Sequence, residues 1–395
     1  MASPPRPPID EDHLPDPFDA LDAASHADVE EEEPPAPALV RWIDDRIGLE
    51  QLSGLARKKT VPVHRQDFWY YFGGITLLFF VVQMFTGLLL LVYYQPGVGT
   101  AHASVARITS EIEFGWLIRS THSWAANLML LFAFVHMFSV YFMKAFRAPR
   151  ELTWGSGILL LGLGMGFGFT GYLLPWDQLA FAGAKIALKS IAGAPGGDII
   201  AMMLGAPLDS AGEPNVGAVS LQRFFALHVA VLPTLFMPLL GLHLWLVQKH
   251  GNAIPPSEEG RPTTRTVPFY PNFLFKDLVV WLLCLNLLTV LAAFSPWELG
   301  EAVDVAKPMP PGIHPEWYFM AQFELLKLVP AHVGPIDGEM VGMALFTLAA
   351  LLWAVVPLWD RGTNAGARLR RINYVGFFAA AALIALTGLG YLGWP

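Results

Sequence analysis

Seven uninterrupted apolar stretches, each long enough for a helix of about 20 residues to cross a bilayer, dominate this chain. They run over 68–94, 115–143, 154–175, 222–247, 276–295, 339–359 and 373–394. A backbone in hydrocarbon must satisfy its polar groups internally, so the stretches predict an all-α polytopic membrane protein. With 54% hydrophobic and 15% charged residues among 395, the composition excludes an ordinary soluble domain. The net charge of −8 adds little, because acidic residues crowd the first 38 positions. That opening, with "PPRPP" and "EEEEPPAP", reads as a disordered tail and not as a signal peptide, since it has no apolar h-region. Residues 39–66 mix apolar and charged positions at helical spacing and are expected to lie on the membrane surface.

Positive charge sets the expected orientation. Arg57, Lys58, Lys59 and Arg65 precede the first helix, and Lys144, Arg147 and Arg150 lie between the second and third. Lys249, Arg261 and Arg265 follow the fourth; Arg361, Arg368, Arg370 and Arg371 follow the sixth. Alternating helices bring all of these to one side, which predicts a cytoplasmic N-terminus and an outer C-terminus.

The second helix carries His122 and His136, fourteen apart, and the fourth carries His228 and His243, fifteen apart. Each pair spans about 21–22 Å along its axis, on nearly one face. Because the helices run antiparallel, His122 shares a level with His228, and His136 with His243. A neutral imidazole at membrane depth still needs polar partners. One such histidine could bond a neighbouring helix; four matched in depth point to metal. The single cysteine, Cys284, excludes cysteine-based zinc and iron–sulfur sites. Two imidazoles per level fall short of zinc's usual four ligands but suit the two axial positions of a porphyrin iron.

Gly73 and Gly87 in the first helix, and Gly157 and Gly171 in the third, repeat the fourteen-residue spacing. They read as bare backbone against which each macrocycle edge presses, or as ordinary small-residue helix packing. Arg119 and Arg223 precede His122 and His228, where they would pair with propionates or anchor the interface. Two haems stacked across a membrane would move electrons through it.

The four-histidine pattern resembles cytochrome b of the bc- and bf-type quinol-oxidising complexes. So do "GYLLPWDQ" (171–178) and "PEWY" (315–318). The resemblance covers about residues 55 to 394. It implies a four-helix dihaem part over 67–250, a cytoplasmic loop over 251–275 and a three-helix part over 276–395 in one chain. It further implies two non-covalent b haems, an outer quinol site, an inner quinone site and proton translocation. Expected partners are a Rieske iron–sulfur protein, a c-type cytochrome, membrane lipid and a second copy of the chain, with no nucleic acid. The expected location is a bacterial inner membrane. Glu316 is then the candidate proton acceptor, with Tyr172 and Tyr318 lining the outer pocket and Gly183 beside it. Asp277, in "FKDL", is the candidate inner proton donor; as a residue at a helix start it could also be a cap.

Three departures stand out. Tyr71 occupies the place of the cysteine that tethers a further haem in the chloroplast branch, so a covalent third haem is not expected. Ser139 replaces an arginine common three residues after His136, leaving Lys144 or Arg147 to meet the inner propionates. His64 and His250 are the candidates for the inner-site histidine of mitochondrial-type members. A dihaem anchor without electron bifurcation and a histidine-relay transporter are the competing readings; the acidic "PEWY" loop favours quinol oxidation.

Overall fold

The computed structural model describes residues 59–261, 265–308, 312–360 and 367–393, with Ala38 alone before them. The acidic tail up to residue 37, and residues 39–58 of the surface segment expected over 39–66, lie outside the described residues. The end of that segment is not helical: Thr60–Val63 forms strand β1. Its sequence TVPV combines β-branched residues with a proline that a helix interior rejects.

Three helices carry the first half of the bundle: α1 (Tyr71–Leu91), α3 (Gly115–Phe142) and α4 (Glu151–Tyr172), with the short α2 (Ala101–Ser110) lying between α1 and α3. Two short helices follow, α5 (Gln178–Gly193) and α6 (Gly197–Met203). The fourth long helix is composite. Segment α7 (Ala218–Ala226) passes through a π turn, Leu227–Val231, into α8 (Leu232–His250). Strand β2 (Arg265–Pro268) pairs antiparallel with β1, Thr60 opposite Pro268 and Val63 opposite Arg265. Then come α9 (Leu274–Phe294) and α10 (Trp317–Leu328), and a small hairpin of β3 (His332–Val333) and β4 (Ile336–Asp337). The chain ends on α11 (Gly338–Ala354), α12 (Val356–Trp359) and α13 (Ala367–Tyr391).

Among the described residues, six helices are long and apolar enough to cross a membrane. The sixth apolar stretch differs from the single span expected over 339–359. Helix α11 stops after 17 residues, and the chain breaks at Val355 before the short α12. Pro357 is the reason: it has no N–H to carry the helical ladder onward.

Helix α1 packs along α3, α4 along α8, α9 against α3 and α1, and α10 against α13. Phe79, Phe80, Met129, Leu130 and Phe236 form the central core, with Phe80 stacked on Phe236 at 4.5 Å. The opposite face of the bundle is equally apolar: Phe85, Leu159, Leu283 and Phe294 are more than 60% exposed. Such surface has no place in water and costs nothing in hydrocarbon.

The π turn bears on the histidines. A turn bonded i to i+5 takes in one extra residue, here with the Leu232 N–H donating to the Leu227 carbonyl. Pro233 cannot donate to the Val229 carbonyl as an α-helix requires, which favours the wider turn. The fifteen-residue interval from His228 to His243 is thereby rephased to match the fourteen of His122 and His136.

Candidate haem clamps and quinone pockets

The structure brings the His122 and His228 rings together edge-on, with centroids 6.4 Å apart and planes at 72°. That gap admits one metal ion with a bond of about 2 Å to each ring. His136 and His243 line one cavity of about 380 Å³ together with Gly73 and Gly157.

Hydroxyl groups orient three of the four rings. Thr86 Oγ1 donates to the Val82 carbonyl at 2.7 Å, so its lone pair faces His122 Nδ1 at 2.9 Å. Ser156 Oγ donates to the Thr153 carbonyl and accepts from His243 Nδ1 at 2.9 Å. Thr170 Oγ1 donates to the Gly166 carbonyl and lies 3.2 Å from His228 Nδ1, which also donates to the Phe167 carbonyl at 3.1 Å. In each ring the proton is thus held on Nδ1 and the Nε2 lone pair is left for a metal. His136 Nδ1 is buried without a partner.

Each of the four glycines packs against one histidine ring. A Cβ would sit 3.0 Å from His136 Cε1 at Gly73, 3.2 Å from His122 Cε1 at Gly87, 3.2 Å from His243 Cε1 at Gly157 and 2.7 Å from His228 Cε1 at Gly171. The nearest neighbours of the bare backbone at these four positions are the imidazoles themselves. The hydroxyl partners escaped the sequence reading although a signal was present. Thr86, Ser156 and Thr170 each directly precede one of these glycines, and Phe72 stands in the fourth place.

At the Glu316 end, the "PEWY" segment is fastened to α3 and α4. Trp317 Nε1 donates to Asn127 Oδ1 at 2.8 Å, and Phe319 packs edge-on against Phe169. The Tyr318 hydroxyl rests on bare backbone at Gly168, where a Cβ would lie 2.4 Å away. Gly183 does the same for Tyr172, with a Cβ placed 3.2 Å from its ring. Glu316 precedes α10 without capping it. Burial pushes its carboxyl above the usual range, opposed by nearby His314. Burial, then Glu316 and Tyr172, raise the Tyr318 phenol. A half-buried carboxylate and two phenols are thus close enough to act on one another's charge, groups of the kind that could meet a ring with hydroxyls to deprotonate.

Two family models match the chain: Cytochrome b/b6/petB over residues 57–251 and Cytochrome b(C-terminal)/b6/petD over 305–394. The "Cytochrome bc complex cytochrome b subunit" of Chlorobaculum thiosulfatiphilum is 43% identical over 349 residues, covering 88% of this chain and 79% of that protein. The chain belongs to the cytochrome b family. Cytochrome b6 of Rippkaea orientalis is 39% identical over 55% of this chain and 95% of its own length. A solved structure titled "Hyperthermophilic respiratory Complex III" superposes with a TM-score of 0.77 at 29% identity, covering 89% of this chain and 91% of that one. Membership implies an integral membrane protein that binds b-type haem. The residues here fit that group: paired imidazoles in an apolar bundle with protons held away from Nε2.

In this cytochrome b, the cavity beside His136 and His243 also holds Asp277. Asp277 packs on Gly74, where a Cβ would lie 2.9 Å from its carboxylate. Its Oδ1 is buried without a partner, so it is not spent as a helix cap. His250 lines the same cavity. His64 does not; it is locked by its neighbours. Its Nδ1 accepts from the Gln66 N–H, its Nε2 donates to the Tyr70 hydroxyl at 2.7 Å, and Tyr70 donates to the Ala253 carbonyl. Tyr71 stacks flat on Phe273 at 4.9 Å and 5°.

The cations expected near the haems are held by main chain, a carboxylate or a ring. Arg119 donates to the carbonyls of Trp297 and Glu298, and Arg223 to those of Met202 and Met203. Arg147 makes a forked pair with the buried Asp360 at 3.1 and 3.2 Å. Lys144 donates to the Tyr141 carbonyl and lies 4.5 Å over the Tyr141 ring.

Proposed function

We propose that this cytochrome b is the redox subunit of a bc-type, complex III-like assembly that oxidises quinol at an outer pocket and reduces quinone at an inner one. Residues 67–250 would form the dihaem unit and 276–395 would complete the outer pocket, with 251–275 on the cytoplasmic side. The observation that carries the reading is the pair of imidazole clamps, His122 with His228 and His136 with His243, matched to opposite levels of one bundle.

Two haems, when bound, carry single electrons across the membrane, each electron working against about 2.3 kcal/mol per 100 mV. The chain's own residues handle the protons and the substrates. Glu316, raised by burial, accepts a proton from quinol in a pocket walled by Tyr172 and Tyr318. One electron of that quinol would go to a Rieske iron–sulfur partner and the other to the haems that His122, His228, His136 and His243 would hold. Asp277 delivers a proton at the inner site, and the apolar core between the two keeps water from short-circuiting the gradient. Arg119 and Arg223 place positive charge near the outer clamp. Tyr71, stacked on Phe273, offers no thiol for a thioether link, which supports a two-haem chain. The same reading makes the chain a bacterial inner-membrane protein with its N-terminus in the cytoplasm, working as a dimer with a c-type cytochrome.

The test distinguishes bifurcation from a plain anchor. In the purified complex, with the inner site blocked and quinol in excess, an oxidant of the Rieske partner should increase haem b reduction. Oxidation of haem b on the same addition would mean that electrons leave by one route only.

A further inference from the structure

The cavity beside His136 and His243 carries two cations that no carboxylate among the described residues pairs with. Lys59 and Arg150 both line it, and among the described residues neither makes an ion pair. Arg150 is fixed on main chain, Nε to the Gly251 carbonyl at 3.2 Å and Nη2 to the His250 carbonyl at 3.0 Å. Two of its five donors are used and three remain. Lys59 donates to Gln248 Oε1 and rests 5.3 Å over the Phe269 ring, with two donors left. A partly buried cation without an anion is costly, and one fixed by neutral carbonyls is positioned for something else. Burial alone already lowers the lysine's affinity for its proton.

The alternatives on this side are spent. Lys144 and Arg147 are held by Tyr141 and Asp360, and neither lines the cavity. Ser139 turns its hydroxyl back on the His136 carbonyl at 2.7 Å. Asp277 shares the cavity but is bonded to neither cation.

We propose that Arg150 and Lys59 receive the carboxylates of the porphyrin clamped by His136 and His243, positioning it and holding its charge. The inference rests on the two-haem reading above. Arg150 offers a planar fork to one carboxylate, and Lys59 a point charge to the other. Positive charge at that edge favours the reduced haem, which carries one more electron.

A potentiometric titration that resolves the two haems tests this. Arg150→Gln and Lys59→Gln should each lower the potential of the inner haem about tenfold in equilibrium constant, or about 59 mV for one electron. The outer haem should not move. Arg150→Lys should restore part of the shift, and Lys144→Gln should leave both haems unchanged. An unmoved inner potential in both glutamine variants overturns the assignment, as does an equal shift from Lys144→Gln. Loss of bound phospholipid phosphorus at unchanged potential would make a lipid phosphate the anion instead. A wild-type chain with fewer than two haems would sink the underlying reading rather than this one.

Discussion

Gly171 and His228 meet so closely that a methyl group on the glycine would lie 2.7 Å from the imidazole Cε1. Carbon atoms in ordinary contact stay about 3.5–4.0 Å apart. The glycine is therefore the wall against which the ring is set, and the same holds in milder form at Gly73, Gly87 and Gly157.

Gly171→Ala should push His228 off its axis and cost the chain the outer haem. Gly162, with nothing within 4 Å of its Cβ position, is the control. Haem content per chain checks both: Gly162→Ala should match wild type and Gly171→Ala should not.

The hydroxyls should matter in proportion to what else holds each ring. His122 Nδ1 has Thr86, whereas His228 Nδ1 has both Thr170 and the Phe167 carbonyl. Losing an outer-shell partner typically weakens a metal site about 10–100-fold. Thr86→Val should fall in that range by haem-retention titration and Thr170→Val below it. Equal losses would mean the Phe167 carbonyl contributes nothing.

Glu316 gives a pH signature. It can accept a proton only when ionised, and burial raises its folded pKa. Quinol oxidation should therefore fall as pH drops through a value above the normal glutamate range of about 4.3. Glu316→Gln should abolish that limb and slow turnover about 10²–10⁴-fold. Glu316→Asp should keep a displaced limb. A pH profile unchanged in the glutamine variant would remove Glu316 from the chemistry.

His64 should make the loop around Ala253 acid-sensitive. Burial lowers its folded pKa, so the neutral ring is the stabilising form. Its contribution is complete above the unfolded value of about 6.5 and is lost as pH falls through the lower folded value. Proteolysis of the 250–260 loop should rise in that acid window in wild type. In His64→Gln, which cannot charge, the rate should be flat across it.

Much of this architecture was legible because a bilayer leaves few choices. Length and apolarity locate the helices, and the histidine spacing pairs their levels. The break at Val355 was less visible, since Pro357 sits in a stretch otherwise apolar enough to pass as continuous. The extra residue between His228 and His243 could be counted in the sequence, but the π turn that absorbs it depends on how Pro233 is accommodated. Contacts between distant segments were out of reach: no periodicity says that Arg147 is held by Asp360 or that Lys59 reaches Gln248. The imidazole neighbours of the four glycines were not legible either, because a bare backbone does not say what approaches it.

The most direct measurement is a reduced-minus-oxidised spectrum of the purified chain with haem counted per polypeptide, alongside His122→Ala and His136→Ala. Two b-type haems in wild type, with each variant losing a different one, is the expected result. A colourless chain, or a single haem lost in both variants, would contradict the paired clamps.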